Sequence, residues 1–278
     1  MKNKKAAILI ATLLIVICML PALFLWRKEK GEEYEVICFG DSVMAGYYGA
    51  GAIPDVLEKR TGRKTLNAAF GGLTMCVPHE VTKAGDPSWL FCMTELSKAL
   101  YERDFSLQIM ATNSRTDAMP EAWLTQAKAL NNLNYDSVRY VIIEQGVNDY
   151  LMGKPIEDAS DAYNIYTFAG GLRTSIENVR KALPDAEIIL VTPSYMWLNT
   201  MYEDCTIMDF GGGTLPKYVA REKEIAAEYN LICVDNFYGS GIDVSNYKNY
   251  LYDGLHTLEE ANNLMVDNII GNVEGLRK

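Results

Sequence analysis

Along the 278-residue chain, short apolar runs alternate with longer stretches in which apolar residues recur three and four apart. Runs of strand length cover residues 36–39, 66–70, 140–143, 188–192 and 231–234. Their near-continuous hydrophobicity is the pattern of strands buried on both faces of a parallel sheet. The helical spacing predicts helices over 89–103, 120–133, 168–183, 214–229 and 258–276. Pro120 and Pro216 stand near helix starts, where a missing N–H costs nothing, and Thr257 ahead of Glu259 and Glu260 is a candidate cap. Five strands alternating with helices predict an α/β fold, a three-layer α/β/α sandwich on a five-stranded, mainly parallel sheet. No repeat, low-complexity segment or linker divides residues 34–278, so they read as one domain.

A different pattern fills residues 6–26, which are 21 consecutive residues without a charge, broken only by Thr12 and Pro21. As a helix this run is roughly 31 Å long, the thickness of a bilayer hydrocarbon core. A cleaved signal has an apolar stretch of about 7–15 residues and a small-x-small exit. This run is longer, Leu25-Trp26-Arg27 offers no such exit, and Cys18 follows Ile17 where a lipoprotein signal has a small residue. The reading is an uncleaved single-pass transmembrane anchor at 6–26, preceded by a short segment 1–5 and followed by a juxtamembrane linker 27–33. Three basic residues precede the span and three follow it, and the free α-amino group adds positive charge at the N-terminal side. That predicts residues 1–5 inside and the domain outside the cytoplasm, or a secreted domain if the segment is cleaved.

Charge sharpens the division. The chain carries 26 Lys+Arg against 36 Asp+Glu, a net of −10, with 49% hydrophobic residues. The first thirty residues hold six basic residues and one acid, so the remainder has 20 basic against 35 acidic residues, a net of −15. An acidic globular domain argues against nucleic acid and other polyanions as partners, because phosphate recognition needs clustered basic charge. Of six cysteines, Cys18 lies in the membrane run, and Cys38 and Cys233 lie in strand-like runs where a thiol is a small hydrophobe. A Cys76–Cys92 bridge is one available pairing, with Cys205 as a third candidate. With no C-x-x-C pair and only two histidines, His79 and His256, neither a metal nor a cofactor is expected.

In such a sheet ligands collect at the carboxyl ends of the strands. Four loops there carry chemistry: Gly40-Asp41-Ser42, Gly71-Gly72-Leu73-Thr74, Gly146-Val147-Asn148-Asp149 and Asp253-Gly254-Leu255-His256. A serine hydroxyl becomes a nucleophile when an imidazole takes its proton, and the imidazole needs a carboxylate to fix its tautomer. Asp253 and His256, three apart, are spaced to meet. The backbone N–H groups of Ser42 and Gly72 and the amide of Asn148 are candidate donors to an oxyanion.

These four blocks resemble the SGNH/GDSL hydrolase superfamily, whose motifs supply Ser, Gly, Asn and His in that order. The resemblance implies Ser42 as nucleophile, His256 as base, Asp253 as acid, and Ser42, Gly72 and Asn148 as the oxyanion hole. It spans residues 36–256. Val43 replaces the leucine of Gly-Asp-Ser-Leu, Ala69 stands where the family often has glycine, and Thr257 stands where it often has proline. Asp41 reads as a turn cap, Asp149 and Asp235 as loop-structuring acids, and His79 as a loop residue. Tyr47, Tyr48, Tyr150, Tyr195 and Trp197 follow strand ends and form a stacking wall for a sugar, or else core and rim. Gly211-Gly212-Gly213 lacks a phosphate-loop ending and reads as a flexible segment, with a lid at the site edge as one option. The expected protein is a membrane-anchored extracytoplasmic serine esterase removing small acyl groups, O-acetyl above all, from carbohydrate. Its rivals are a lipid esterase or lysophospholipase, an O-acetyltransferase, and a non-catalytic glycan-binding module. Oligomeric state is not legible.

Overall fold

Strands rich in Val, Ile and Leu on both faces need cover on both sides, and the computed structural model provides it. The structure describes residues 31–46, 51–78, 87–114 and 120–277. The predicted anchor at 6–26, with Tyr47, Tyr48 and His79, lies outside the described residues. Among those described, no helix is long and apolar enough to cross a membrane. The chain divides into Met1–Glu32 and Glu33–Lys278, and the sheet lies in the second unit.

Strands β1 (Val36–Gly40), β2 (Thr65–Ala69), β3 (Tyr140–Glu144) and β4 (Glu187–Val191) precede a two-stranded antiparallel ribbon, β5 (Trp197–Leu198) with β6 (Glu203–Asp204), and β7 (Ile232–Val234) follows it. The main sheet has the order β2-β1-β3-β4-β7 and every pairing in it is parallel. Side chains alternate between faces. Ile37, Phe39, Val141, Ile143 and Leu190 join one core with helices Met93–Glu102, Phe168–Ala182 and Leu215–Glu228. Val36, Cys38, Ile142 and Ile189 join the other with helices Ile53–Thr61 and Glu259–Asn272. All five β1 residues are buried. Losing a side chain such as Phe39 from this interior costs about 3–5 kcal/mol. The expected three-layer α/β fold with a five-stranded parallel sheet is therefore present.

Local departures have local causes. The helix expected over 89–103 is a 3-10 turn, Pro87–Phe91, and a helix, Met93–Glu102, separated at Cys92 by extended backbone (φ −62°, ψ 154°). The expected 258–276 helix stops at Asn272 before a 3-10 turn, Glu274–Leu276. Leu258, without a side-chain bond, stands at its N-cap, whereas Thr257 bridges to Leu251. Helices Ile53–Thr61 and Ser106–Ser114 were not foreseen by the pattern. Cys76, Cys92 and Cys205 are buried free thiols, as are Cys38 and the half-buried Cys233, so the Cys76–Cys92 bridge is absent.

The triple glycine is a packed strap, not an open lid. Asp209 accepts hydrogen bonds from Gly211 N–H (2.7 Å) and Gly213 N–H (2.9 Å). A Cβ on Gly212 would collide with Lys154 O and Tyr218 Oη, which hydrogen-bond each other. Glycine is needed here for close approach. Gly212→Ala is expected to lower the unfolding free energy by about 1–3 kcal/mol, measured by urea titration; an unchanged midpoint and slope would show that the strap yields freely.

Two carboxyls interrupt the interior. Glu144 ends β3 at 0% exposure and Glu222 is 1% exposed, and neither Glu144 oxygen nor Glu222 Oε2 has a partner among the described residues. Burial drives both carboxyls well above the usual range, Asp41 and Glu222 adding repulsion at Glu144, and Asp235 and Asp149 at Glu222. Between the unfolded carboxylate range near pH 4–5 and these raised values, the folded chain holds protons that the unfolded chain has released. Stability should therefore fall as pH rises from 5 to 7, by up to about 1.4 kcal/mol per pH unit for each such carboxyl. Urea unfolding across this range should show the decline, and Glu222→Gln should flatten it; a wild-type curve that rises, or a slope untouched by the substitution, contradicts the assignment.

Candidate active site

The order β2-β1-β3 means that the chain leaves β1 toward one edge and later returns on its other side. This opens a crevice at the carboxyl end of β1. Register sharpens it: Gly40 pairs with Ala69 of β2 and with Glu144 of β3, which pairs in turn with Val191. Ser42, Gly72 and Asn148 all follow this row within a few residues.

Ser42 opens a one-turn helix, Ser42–Ala45. Asp41 caps that turn as expected, accepting a hydrogen bond from Val43 N–H at 2.9 Å. Asp41 is fully buried, and burial pushes its carboxyl up to about 7 against the opposing hydrogen bond from Val43. Ser42 is 7% exposed, enough to be reached from the crevice.

His256 Nε2 lies 3.0 Å from Ser42 Oγ, and His256 Nδ1 lies 2.7 Å from Asp253 Oδ2. The carboxylate places the ring proton on Nδ1, which leaves Nε2 as the acceptor facing the serine. The other Asp253 oxygen accepts hydrogen bonds from Leu255 N–H (3.0 Å) and His256 N–H (2.8 Å). Partial burial of Asp253 opposes its charge, but the hydrogen bonds from His256 and Leu255 outweigh it and hold the carboxyl below its usual range.

This loop is fastened at several points. Leu251 and Thr257 form an antiparallel bridge, Tyr252 N–H donates to His256 O (2.7 Å), and Asn199 Nδ2 donates to Asp253 O. Trp197 N–H also donates to Gly254 O at 2.8 Å. Gly254 has φ +90°, and a Cβ there would strike Trp197 O. The β5–β6 ribbon is thus the support that sets the height of His256, and Asn199 and Gly254 act in it unforeseen. Glycine between Asp and His was the available signal.

Asn148 follows β3 on the short helix Val147–Leu151 and is 8% exposed. Its Nδ2 donates to Asp41 Oδ2 (3.1 Å) and to Leu73 O (3.1 Å), binding the Ser42 turn to the loop after β2. Asp149, read as loop-structuring, accepts from Met75 N–H (2.8 Å) and Cys76 N–H (3.2 Å) on that same loop. Gly72 is an exposed residue of it. The structure therefore brings Ser42, His256 and Asp253 into direct contact and holds the Asn148 and Gly72 loops together beside them.

The aromatic wall is corrected in part. Tyr150 is fully buried, packed edge-on to Phe210 and Tyr218, with its hydroxyl donating to Met208 O. Tyr195 is 4% exposed among Phe237 and Tyr247. Both rings turn inward because the interior at the sheet's edge needs large apolar volume. Trp197 is half-buried, stacked on Tyr247 at 5.2 Å, and adjoins the His256 loop. Among the described residues no cluster of His, Cys, Asp or Glu is arranged to hold a metal ion.

Comparison with known proteins bears on the fold and the family. Solved structures with the same fold include a protein from Lactobacillus plantarum (15% identity, TM-score 0.61, covering 88% of this chain and 98% of that one). A possible lipase from Chitinophaga pinensis aligns at 14% identity and TM-score 0.53, over 88% of this chain and 99% of that one. A carbohydrate acetylesterase family member from Sinorhizobium meliloti aligns at 17% identity and TM-score 0.51, over 87% and 98%. No curated protein matches the sequence. The profile of the GDSL-like lipase/acylhydrolase family matches residues 38–263, a span that takes in Ser42, Gly72, Asn148, Asp253 and His256. The chain is accordingly a carboxylic ester hydrolase and belongs to the GDSL-like lipase/acylhydrolase family.

Proposed function

We propose that this enzyme is a serine esterase that removes small acyl groups, chiefly O-acetyl, from carbohydrate, with its domain held outside the cytoplasm by an anchor at 6–26. The observation that carries the catalytic reading is the unbroken relay from Asp253 through His256 to Ser42 Oγ, at 2.7 and 3.0 Å. His256 Nε2 takes the hydroxyl proton as Ser42 Oγ attacks the ester carbonyl, and Asp253 stabilises the imidazolium that forms. The N–H groups of Ser42 and Gly72 and the Asn148 amide receive the negative charge on the carbonyl oxygen. Both Asn148 protons already have acceptors, Asp41 Oδ2 and Leu73 O. A charged oxyanion is the stronger acceptor and draws one away from the neutral carbonyl. The imidazolium then protonates the departing alcohol, and a water activated by the same nitrogen releases the acyl group as acid.

The carbohydrate preference is supported by a net charge of −15 beyond Lys30, which disfavours polyanions, and by the outward location inferred from residues 6–26. The topology is tested with a phosphatase fused to the C-terminus in an exporting host: activity is expected, and an inactive, stable fusion overturns the outside assignment.

Hydrolysis of p-nitrophenyl acetate, butyrate and octanoate is expected to favour acetate, whereas a maximum at octanoate would point to a lipid esterase. Ser42→Ala and His256→Ala should each reduce kcat to the residual level left by binding and oxyanion contacts. Asp253→Asn should cost on the order of 10³–10⁴ in kcat by presenting the wrong tautomer, and Asn148→Ala about 10²–10³. Retention of wild-type turnover in either alanine variant of the Ser42–His256 pair removes the mechanism.

A further inference from the structure

Gly72 stands on an arch between two fixed points. Upstream, Phe70 N–H donates to Gly40 O of β1 at 2.9 Å. Downstream the chain is buried again from Thr74, with Thr74, Met75 and Cys76 at 2%, 1% and 0% exposure. Gly72 itself is exposed, with φ +78° and open space where a Cβ would be, and its N–H donates to no described residue. The glycine thus has no side chain, and no hydrogen bond to a described residue, to aim that N–H. Its direction is set by the two ends of the arch.

The upstream end is as firm as β1. The downstream end has no strand beneath it, and two adjacent residues of the helix Val147–Leu151 take hold of it with opposite polarity. Asn148 Nδ2 donates to Leu73 O (3.1 Å), while Asp149 accepts from Met75 N–H at Oδ2 (2.8 Å) and from Cys76 N–H at Oδ1 (3.2 Å). From the other side, Met93 N–H donates to Thr74 O (3.0 Å), and Thr94 gives Met75 O both its N–H (3.2 Å) and its hydroxyl (2.8 Å). Thr74 Oγ1 donates to Cys76 O at 2.6 Å. Two buried backbone N–H groups therefore find their acceptors on one fully buried carboxyl. An asparagine of the same shape would turn its NH₂ toward one of them, leaving a donor facing a donor. The position needs two acceptors, which a carboxylate has and an amide lacks.

We propose that Asp149 is a positioning residue for ester hydrolysis: through Met75 and Cys76 it holds the downstream end of the arch and so sets the Gly72 N–H where the oxyanion forms. The proposal rests on the oxyanion role given to Gly72 above. Asp149 is sealed from substrate and acts through the chain. Its effect falls on the transition state, because the Gly72 N–H gains its acceptor as negative charge builds on the carbonyl oxygen.

The test measures p-nitrophenyl acetate hydrolysis by the full-length enzyme, with active sites counted by complete phosphonylation of Ser42 with a fluorophosphonate. Asp149→Asn should lower kcat per titrated site about 10- to 100-fold with KM within about twofold, short of the loss of a whole oxyanion donor. Thr94→Val removes the hydroxyl bond on the opposite side of the same segment and leaves Asp149 intact. It should lower kcat about two- to fivefold, again with KM held. Asp149→Asn decides if it folds, and Thr94→Val decides if it does not. In the deciding variant, wild-type kcat per site with only a lowered urea midpoint shows that these bonds serve stability alone and overturns the proposal. A raised KM with kcat retained also overturns it, placing the segment in substrate binding instead. Wild-type turnover by Ser42→Ala is a separate failure, since it removes the serine mechanism on which the role of Gly72 depends.

Discussion

The pairing of β1 with parallel neighbours on both sides governs the molecule. Because β2 and β3 align their last residues with Gly40, the loops leaving three strands emerge at one level, and chain crossings on opposite faces keep them from covering the space above β1. The strands' apolar residues secure that register, since slipping by one position would exchange the two faces and their cores. The residues around Ser42 are thus held by packing well below them.

Electrostatics divides the acids at this sheet edge into two kinds. Asp253 is partly exposed and receives hydrogen bonds from two backbone N–H groups and an imidazole, so it stays ionised and can orient His256. Asp41, Glu144 and Glu222 are sealed from water, and burial raises all three carboxyls above the usual range. At Asp41 desolvation outweighs the hydrogen bonds from Val43 and Asn148, and at Glu144 no hydrogen bond from the described residues opposes it, which is the ordinary result for a carboxyl without a cationic partner. The carboxyl held most readily ionised near Ser42 is consequently Asp253, the one bonded to His256.

Much of this was legible in the residues. Five apolar runs lay within a residue or so of the five strands because doubly buried strands have little freedom in composition. Ser42, Asn148 and the Asp253–His256 pair were legible because each follows such a run and belongs to a side-chain type with a distinct chemical use. What was obscure depended on tertiary context. Tyr150 and Tyr195 follow strand ends just as a binding wall would, and only the packing of Phe210, Tyr218 and Phe237 decides that they point inward. Three consecutive glycines have the same composition whether they confer freedom or permit contact. The β5–β6 ribbon, two residues per strand, is too short to show a period.

Ser42 and His256 touch across 214 residues of sequence. At a synthesis rate of about 5–20 residues per second, roughly 10–40 s separate the appearance of the serine from that of its base. During that interval the other four strands of the main sheet are made, and the serine is present without its base. On the proposed mechanism the nascent chain cannot activate its serine until the final segment is made and docks against Trp197.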